Sequence, residues 1–284
     1  MSELLYQQIG EFYDASSGLW EKIWGEHMHH GYYGKNGRYK IERRQAQIEL
    51  IEELLFWAGM TSQDCPQQIL DVGCGIGGSS LYLANKFSAE VTGITLSAVQ
   101  VSRAQERAIN FGLEDKAEFQ LANALSMPFD DNSFDLVWSL ESGEHMSDKE
   151  KFLAECYRVL KPGGKFIFAT WCHRETSLVG ELSTEEIRHL KEIYRVYCLP
   201  YVIALSEYKA IAKQCGFQDL KTDDWSTSVA PFWDTVIESA FSLDALTGLV
   251  KSGWKTVESA LSLQLMSSGF ESGLIRYGLV QGTK

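Results

Sequence analysis

Residues 68–78, QILDVGCGIGG, run from a short apolar stretch through a glycine cluster into a helical pattern carrying Leu81, Ala84 and Phe87. A strand, a glycine turn and a helix in that order admit few folds. The apolar stretch reads as a strand buried on both faces, and the glycines supply positive φ and let a ligand approach the backbone. Further strands are predicted at 90–95, 117–121, 134–140 and 165–170, alternating with helical patterns. Ser97 with Gln100, and Ser147 with Glu150, have the spacing of capping boxes; the helix after Ser147 should stop at Lys161-Pro162-Gly163-Gly164. Upstream, Ile48, Ile51, Leu55 and Ala58 recur at helical spacing over 42–58, with Gly59 as a stop. Later helices are expected at 180–197, 205–215 and 230–265, and the alternation of Ile275, Tyr277 and Leu279 suits a late strand over 273–281. The expectation is an α/β fold: a parallel sheet with right-handed crossovers and helices on both faces, which the late strand could close. A ligand then sits at the carboxyl ends of the strands.

The 284 residues carry a formal charge of −12, which excludes a nucleic-acid binder relying on clustered cations. Hydrophobic residues at 45% supply a sizeable core, and no linker or repeat marks a cut, so one unit is expected. The six cysteines contain no CxxC pair and suit a reducing interior rather than a disulfide framework. No apolar run is long enough to span a bilayer. The N-terminal MSELLYQQIGEF carries acids where a targeting segment needs bases. The chain is expected to be made where it works, or to have had a presequence removed.

Gly73, Gly75 and Gly78 satisfy the GxGxxG spacing of a dinucleotide site. Two features argue otherwise. Asp71 sits just before the glycines, where it would repel a pyrophosphate, and the second strand ends in Gly93-Ile94-Thr95-Leu96 with no carboxylate for an adenine ribose. A ligand with a cationic amine and a sulfonium, such as S-adenosylmethionine, fits better.

DVGCGIGG at 71–78, GITLSAVQ at 93–100, LANA at 121–124 and VLKPGGKF at 159–166 together resemble the class I S-adenosylmethionine-dependent methyltransferases. WGEHMHHGYYG at 24–34, ESGEHM at 141–146, TWCHR at 170–174 and VAPFW at 229–233 sharpen this to the γ-tocopherol methyltransferase family, from residue 12 to the end. The resemblance implies a Rossmann-like sheet, mostly parallel with an antiparallel late strand, with a helical N-terminal lid and substrate cap. It also implies that Asp71, Gly73 and Gly75 surround the methionine portion of the cofactor, with Thr95, Leu96 and Gln100 near its ribose. It places Asn123 and Ala124 beside adenine, and Leu140 and Glu141 beneath the sulfonium. Thr95 and Asn123 depart from the acids frequent at those positions, and helix capping alone would also account for Gln100. The implied reaction is C-methylation of the chromanol ring of tocopherols, γ to α and δ to β, in vitamin E biosynthesis, with S-adenosylhomocysteine released. N-methylation of an indole alkaloid, or methylation of another specialised metabolite, shares much of the pattern. A nicotinamide oxidoreductase and a non-catalytic lipid-binding module are the readings from other classes.

Glu141, Glu144 and His145 directly follow the fourth strand, over the cofactor's methyl group in this fold. A phenol titrates near pH ~10 and imidazole near ~6.5, so His145 is the candidate base. Glu144 either orients it or faces water, and His145 as an ordinary packing histidine is the competing reading. His27, His29 and His30 lack partners at metal-ligand spacing beyond Glu26, so no metal is expected. With Trp24, Tyr32 and Tyr33 they suit a lid, His30 and Tyr33 facing the substrate. Trp171, His173, Trp225, Phe232 and Trp233 are the remaining substrate candidates, unless such aromatic residues are simply core. The expected organisation is a lid and helix over 1–60, a cofactor-binding core over 61–175 and a substrate cap with closing strands over 176–284. The expected partner is a lipophilic phenol, with peripheral membrane contact. The expected location is cytoplasmic, against an internal thylakoid-type membrane. The oligomeric state is left open.

Overall fold

The computed structural model describes residues 6–14, 17, 21, 25–61, 64–240 and 254–284. Trp24 and positions 241–253 of the helical stretch expected over 230–265 lie outside the described residues. Residues 6–14 are helical. The elements that follow are α1 (Arg43–Trp57), β1 (Gln68–Val72), α2 (Gly78–Phe87), β2 (Glu90–Thr95), α3 (Ala98–Phe111), β3 (Ala117–Leu121) and β4 (Phe134–Leu140). A 3-10 turn (Gly143–His145) leads to α4 (Lys149–Val159) and β5 (Leu160–His173). Then come α5 (Thr184–Tyr197), α6 (Leu205–Cys215), β6 (Gln218–Asp224), α7 (Pro231–Ala240), α8 (Trp254–Glu271) and β7 (Ile275–Thr283).

The seven strands form one sheet in the order β3-β2-β1-β4-β5-β7-β6. β1 to β5 are mutually parallel, and β7 runs antiparallel to both β5 and β6. The fold class is therefore the one expected, a mostly parallel sheet with an antiparallel late strand and helices around it. Successive strand residues point to opposite faces. Ile69, Leu136, Trp138, Ile167 and Leu279 pack on one face with α1 residues Leu50 and Leu54. Leu70, Val137, Phe166, Phe168 and Val280 pack on the other with Phe152 and Tyr208. Burial on both faces is why these strands read as continuous apolar runs. The strand order reverses beside β1, so the crevice between the carboxyl ends of β1 and β4 is the topological switch point.

Several local expectations are corrected. β6, with the polar sequence QDLKTDD, carries no strand signal; it is an edge strand paired only with β7. Helix α4 is capped by Asp148, which accepts from Lys151 N, rather than by Ser147, whose hydroxyl meets that of Tyr6 at 2.6 Å. It ends at Val159, and β5 begins already at Leu160. On α1 Ile51 and Leu55, with Ala58 just beyond, are buried as expected, but the stripe also takes in Ala46, Leu50 and Leu54, and Ile48 is only half-buried.

Candidate active site

The carboxyl ends of β1, β2 and β4 open into one cavity. On its β1 side, Asp71 is 2% exposed and its Oδ2 accepts from Ser80 Oγ at 2.6 Å. Among the described residues no cation pairs with it. Burial therefore pushes its pKa up to about 7, against a smaller opposing effect of the Ser80 hydroxyl. Gly75, at φ +54, is lined up so that a Cβ would meet only Met28 Sδ, at 3.9 Å. A glycine here leaves the backbone open to the cavity. At Gly73, by contrast, a Cβ would fall 2.2 Å from that of Ser142, so the β1 and β4 turns pack directly on each other. Ser142 Oγ fixes this contact by donating to Val72 O at 2.8 Å.

At the end of β2, Thr95 Oγ1 donates to Gln100 Oε1 at 2.6 Å. Gln100 is thus committed to Thr95 and is not the second half of a capping box, although Ser97 does cap α3 by accepting from Gln100 N. Asn123 Oδ1 accepts from Leu125 N at 2.9 Å and shapes the turn beyond β3. Asp71, Gly73, Gly75, Thr95, Leu96 and Gln100 all line the cavity, as do Asn123, Ala124, Leu140 and Glu141.

On the β4 side, Glu141 turns the chain out of the strand with a left-handed φ of +53°. Its Oε1 accepts from His30 N at 2.7 Å and from the Tyr277 hydroxyl at 2.9 Å, while Oε2 lies 2.7 Å from His30 Nδ1. Burial raises its pKa, but the charge and hydrogen bonds of His30, with His29 behind it, outweigh this and hold it below the usual carboxylate value. Glu144 lacks such partners. It accepts from Thr170 Oγ1 at 2.7 Å, and burial followed by the charge of Glu141 raises its pKa to about 7. Neither expectation for Glu144 therefore holds: it neither orients His145 nor faces water, being 2% exposed and bonded to β5. His145 Nε2 lies 2.6 Å from the hydroxyl of Tyr13, in the N-terminal helical segment. Burial, then the Lys149 charge, lowers the His145 pKa to about 3, leaving a neutral imidazole. Both Glu144 and His145 line the cavity.

The substrate candidates divide sharply. Trp171 lines the cavity. His30, Phe232 and Trp233 do not; they form a buried cluster behind Glu141, with the His30 ring 4.8 Å from that of Phe232 and 5.0 Å from that of Trp233. Tyr33 is core beside α1, its N–H donating to Ser228 O. Trp225 packs on Tyr32, and its Nε1 donates to Asp223. His173 meets the start of α6, with Nδ1 2.7 Å from Arg174 O and Nε2 3.7 Å from Glu207. Tyr33, Phe232 and Trp233 are taken up by the core, and Trp225 packs against it, because the loop and helix that carry them cover the sheet face bearing Leu50 and Leu54 rather than the crevice.

His29 lines the cavity as a lid residue should, but Tyr6, Ile9, Phe12 and Tyr13, which cover the cavity from the N-terminal helical segment, are not among the residues expected there from sequence, and neither are Met146 and Tyr197. This segment is tied down by Tyr6 to Ser147, Tyr13 to His145, and Asp14 to Ser97 and Val99 N. The available signal was the helical spacing of its apolar residues Tyr6, Ile9 and Tyr13. Among the described residues no group of three or more His, Cys, Asp or Glu side chains could hold a metal. Gln47 Nε2 instead donates to the carbonyls of His27 and His29, fixing the histidine-rich loop.

A buried carboxylate awaiting a cation, an open glycine backbone and a proton acceptor of near-neutral pKa make a site for a cationic ligand and an acid–base step. Comparison with known proteins agrees. Residues 70–168 match the family pattern described as a methyltransferase domain. The chain is 48% identical over 97% of its length to the "Probable tocopherol O-methyltransferase, chloroplastic" of Oryza sativa subsp. japonica, 77% of which is covered. It is 46% identical over 98% of its length to the "Tocopherol O-methyltransferase, chloroplastic" of Arabidopsis thaliana, 82% of which is covered. Among solved structures, a "putative sarcosine dimethylglycine methyltransferase" from Galdieria sulphuraria superposes with a TM-score of 0.80 at 25% identity, covering 95% of this chain and 98% of the other.

Proposed function

The chain belongs to the tocopherol methyltransferase family of S-adenosylmethionine-dependent enzymes, and from that membership we propose that it methylates the chromanol ring of tocopherols at carbon, γ to α and δ to β, in vitamin E biosynthesis. The observation that carries the choice of carbon is the pair of proton acceptors on one turn, Glu144 and His145. Methylating a phenol oxygen needs one proton taken from the substrate, whereas methylating the neighbouring ring carbon needs two in succession, from the hydroxyl and then from that carbon, one of which returns to the oxygen.

The residues fit the cofactor. Asp71 would hold its ammonium, Gly73 and Gly75 its methionine backbone, and Thr95, Leu96 and Gln100 its ribose. Asn123 and Ala124 would hold adenine, and Leu140 with Glu141 the floor. When bound, S-adenosylmethionine supplies an electrophilic methyl group on a positive sulfur and leaves as neutral S-adenosylhomocysteine. Glu144 accepts the phenol proton, placing the oxygen's charge on the ring carbon that forms the new carbon–carbon bond. His145, neutral and held by Tyr13, accepts the ring proton, which recovery of aromaticity makes acidic enough for a weak base, and the proton on Glu144 returns to the oxygen, so that one proton is released overall. Trp171 and Tyr197, whose rings stand edge to face at 5.4 Å, would flank the chromanol. Holding the two reactants together contributes about 7–11 kcal/mol to lowering the barrier. The covering segment within residues 1–60 serves as the lid, 61–175 as the cofactor-binding core and 176–284 as the cap.

A lipophilic acceptor must be drawn from a bilayer, so the enzyme is proposed to work at the surface of an internal membrane. Among the described residues no helix is long and apolar enough to cross one. Sedimentation with liposomes at low and high salt tests this, and a protein left in the supernatant at both removes the membrane from the proposal. The reaction is tested by incubating the protein with methyl-labelled S-adenosylmethionine and γ-tocopherol, δ-tocopherol or a tertiary-amine alkaloid precursor. Label on the chromanol ring carbon supports the proposal; label on the phenolic oxygen or on nitrogen replaces it.

A further inference from the structure

Lys149 is the first residue of α4 and is 2% exposed. Its ammonium donates to Gly143 O at 2.8 Å and to Glu144 O at 3.1 Å, and lies 4.7 Å from the centre of the Tyr201 ring. Burying an ammonium is costly unless it is paired, yet among the described residues no carboxylate lies within ion-pairing distance of it. Its polar contacts are the carbonyls of the turn that carries Glu144 and His145. An apolar side chain could pack there at lower cost, so the charge calls for an explanation other than packing.

Resting on the methyl-transfer reading above, we propose that Lys149 is a positioning residue for that reaction. Its ammonium clamps the Gly143–His145 turn so that both acceptors face the cavity, and it supplies the buried positive charge that favours a charged Glu144 and a neutral His145. The surroundings leave that charge little competition. Glu144 faces Glu141 from the same turn, Thr170 and Cys172 from β5, Tyr208 from α6, Tyr277 from β7 and Tyr13 from the N-terminal segment. Lys149 faces Glu144, His145, Cys172 and the Tyr201 ring, around which lie Asp148, Glu150 and Glu207. Tyr208 Oη, 3.4 Å from Gly143 O, is a weaker second support for the turn. Lys149 is thus the cation set against the buried Glu144, while Glu141 is already paired with His30. Desolvation brings its own pKa down to about 7, close to that of Glu144.

Two variants test the assignment. Lys149→Met removes the charge. Tyr201→Leu, at a position 37% exposed and so tolerant of change, removes only the ring that supports it. In Lys149→Met, S-adenosylhomocysteine affinity and acceptor KM are expected to stay within about twofold, while kcat falls about tenfold and the acidic limb of its pH profile moves up by about half a unit. Tyr201→Leu should move the limb in the same direction by less. The Glu144 carboxyl carbon signal of glutamate-labelled protein, assigned with Glu144→Gln, reads the same shift with no acceptor present. A moved titration in a protein inactive on tocopherols therefore supports Lys149 while refuting the proposed substrate. If Lys149→Met does not fold, Tyr201→Leu decides alone. An unmoved Glu144 titration in every folded variant overturns the proposal.

Discussion

The ends of β1 and β4 lie side by side, and each presents a buried carboxylate at the mouth of one cavity, yet the two are pushed in opposite directions. Asp71 has a single hydroxyl partner and its pKa is raised to about 7. Glu141 has three hydrogen-bond contacts, two of them with His30, and is held below its usual value. Burial is common to both, so the difference lies in the partners the chain itself provides. Glu141 is completed by the protein, joining the loop at His30 to β4 and β7. Its left-handed backbone, worth roughly 1–2 kcal/mol of strain, is offset by these contacts. Asp71 is left to be completed by a ligand. Glu144, one turn beyond Glu141, is also incompletely paired, and that suits a group that must take up and release a proton.

The largest effect should come from breaking this division on the β4 side. Glu144→Gln keeps the Thr170 contact but cannot accept a proton. Turnover should fall by about 10²- to 10⁴-fold with S-adenosylhomocysteine affinity nearly unchanged in calorimetry. Undiminished turnover would pass the base role to His145. In the wild type, the acidic limb of kcat should lie near the raised Glu144 pKa of about 7, with activity rising as pH increases through it.

Glu141→Ala should act on stability instead, because it leaves His30 without its carboxylate inside a cluster of aromatic rings. Losing one partner of a buried pair costs about 3–5 kcal/mol, visible as a lower denaturant midpoint. A change confined to cofactor affinity, with the midpoint preserved, would show Glu141 to be a ligand contact like Asp71.

How much of this was legible in the sequence follows the same division. The β1 to β5 frame announces itself because each strand is buried on both faces, and the glycine turn fixes where a ligand approaches. Asp71, Thr95 and Asn123 could therefore be placed at strand ends without coordinates. The completion of Glu141 could not, since His30 and Tyr277 lie 111 and 136 residues away along the chain. Periodicity carries no information about which distant elements meet. The aromatic residues Trp225, Phe232 and Trp233 illustrate the limit: composition suggested a pocket, but a large ring is as much at home in a core. β6 escaped notice for the opposite reason, as an edge strand need not be apolar.

Asp71→Asn should reverse the signs seen at Glu141. It preserves a group that can accept from Ser80 but removes the charge meant for the cofactor's ammonium. Truncating one side of a buried charged contact costs about 2–5 kcal/mol, so calorimetry should find S-adenosylhomocysteine bound at least about 30-fold more weakly. The unliganded variant should match or exceed the wild type in stability. The folded pKa of Asp71 lies above its unfolded value, so the stability it contributes is present below about pH 4 and is lost as pH rises through about 7. The advantage of the variant should therefore widen between about pH 4 and 7 and then level off. A wild type that stays the more stable across that range would mean Asp71 is already paired.

The smallest effect is the most direct reading of the asymmetry. If the unliganded Asp71 is protonated at slightly acidic pH and a bound ammonium forces it to ionise, cofactor binding must expel a proton. At pH 6.5 a group of pKa about 7 is roughly three-quarters protonated, so about that fraction of a proton should leave per S-adenosylhomocysteine bound. Titrations in two buffers of different ionisation enthalpy measure it as the slope of apparent heat against buffer heat. The release should fade by pH 8, where Asp71 is already charged, and vanish in Asp71→Asn. It should survive in Glu144→Gln, which separates it from the second raised carboxyl. Glu141 contributes nothing to this slope, because His30 holds it ionised with or without a ligand. Proton release that persisted in Asp71→Asn would place the uncompensated charge on the β4 side and invert the comparison.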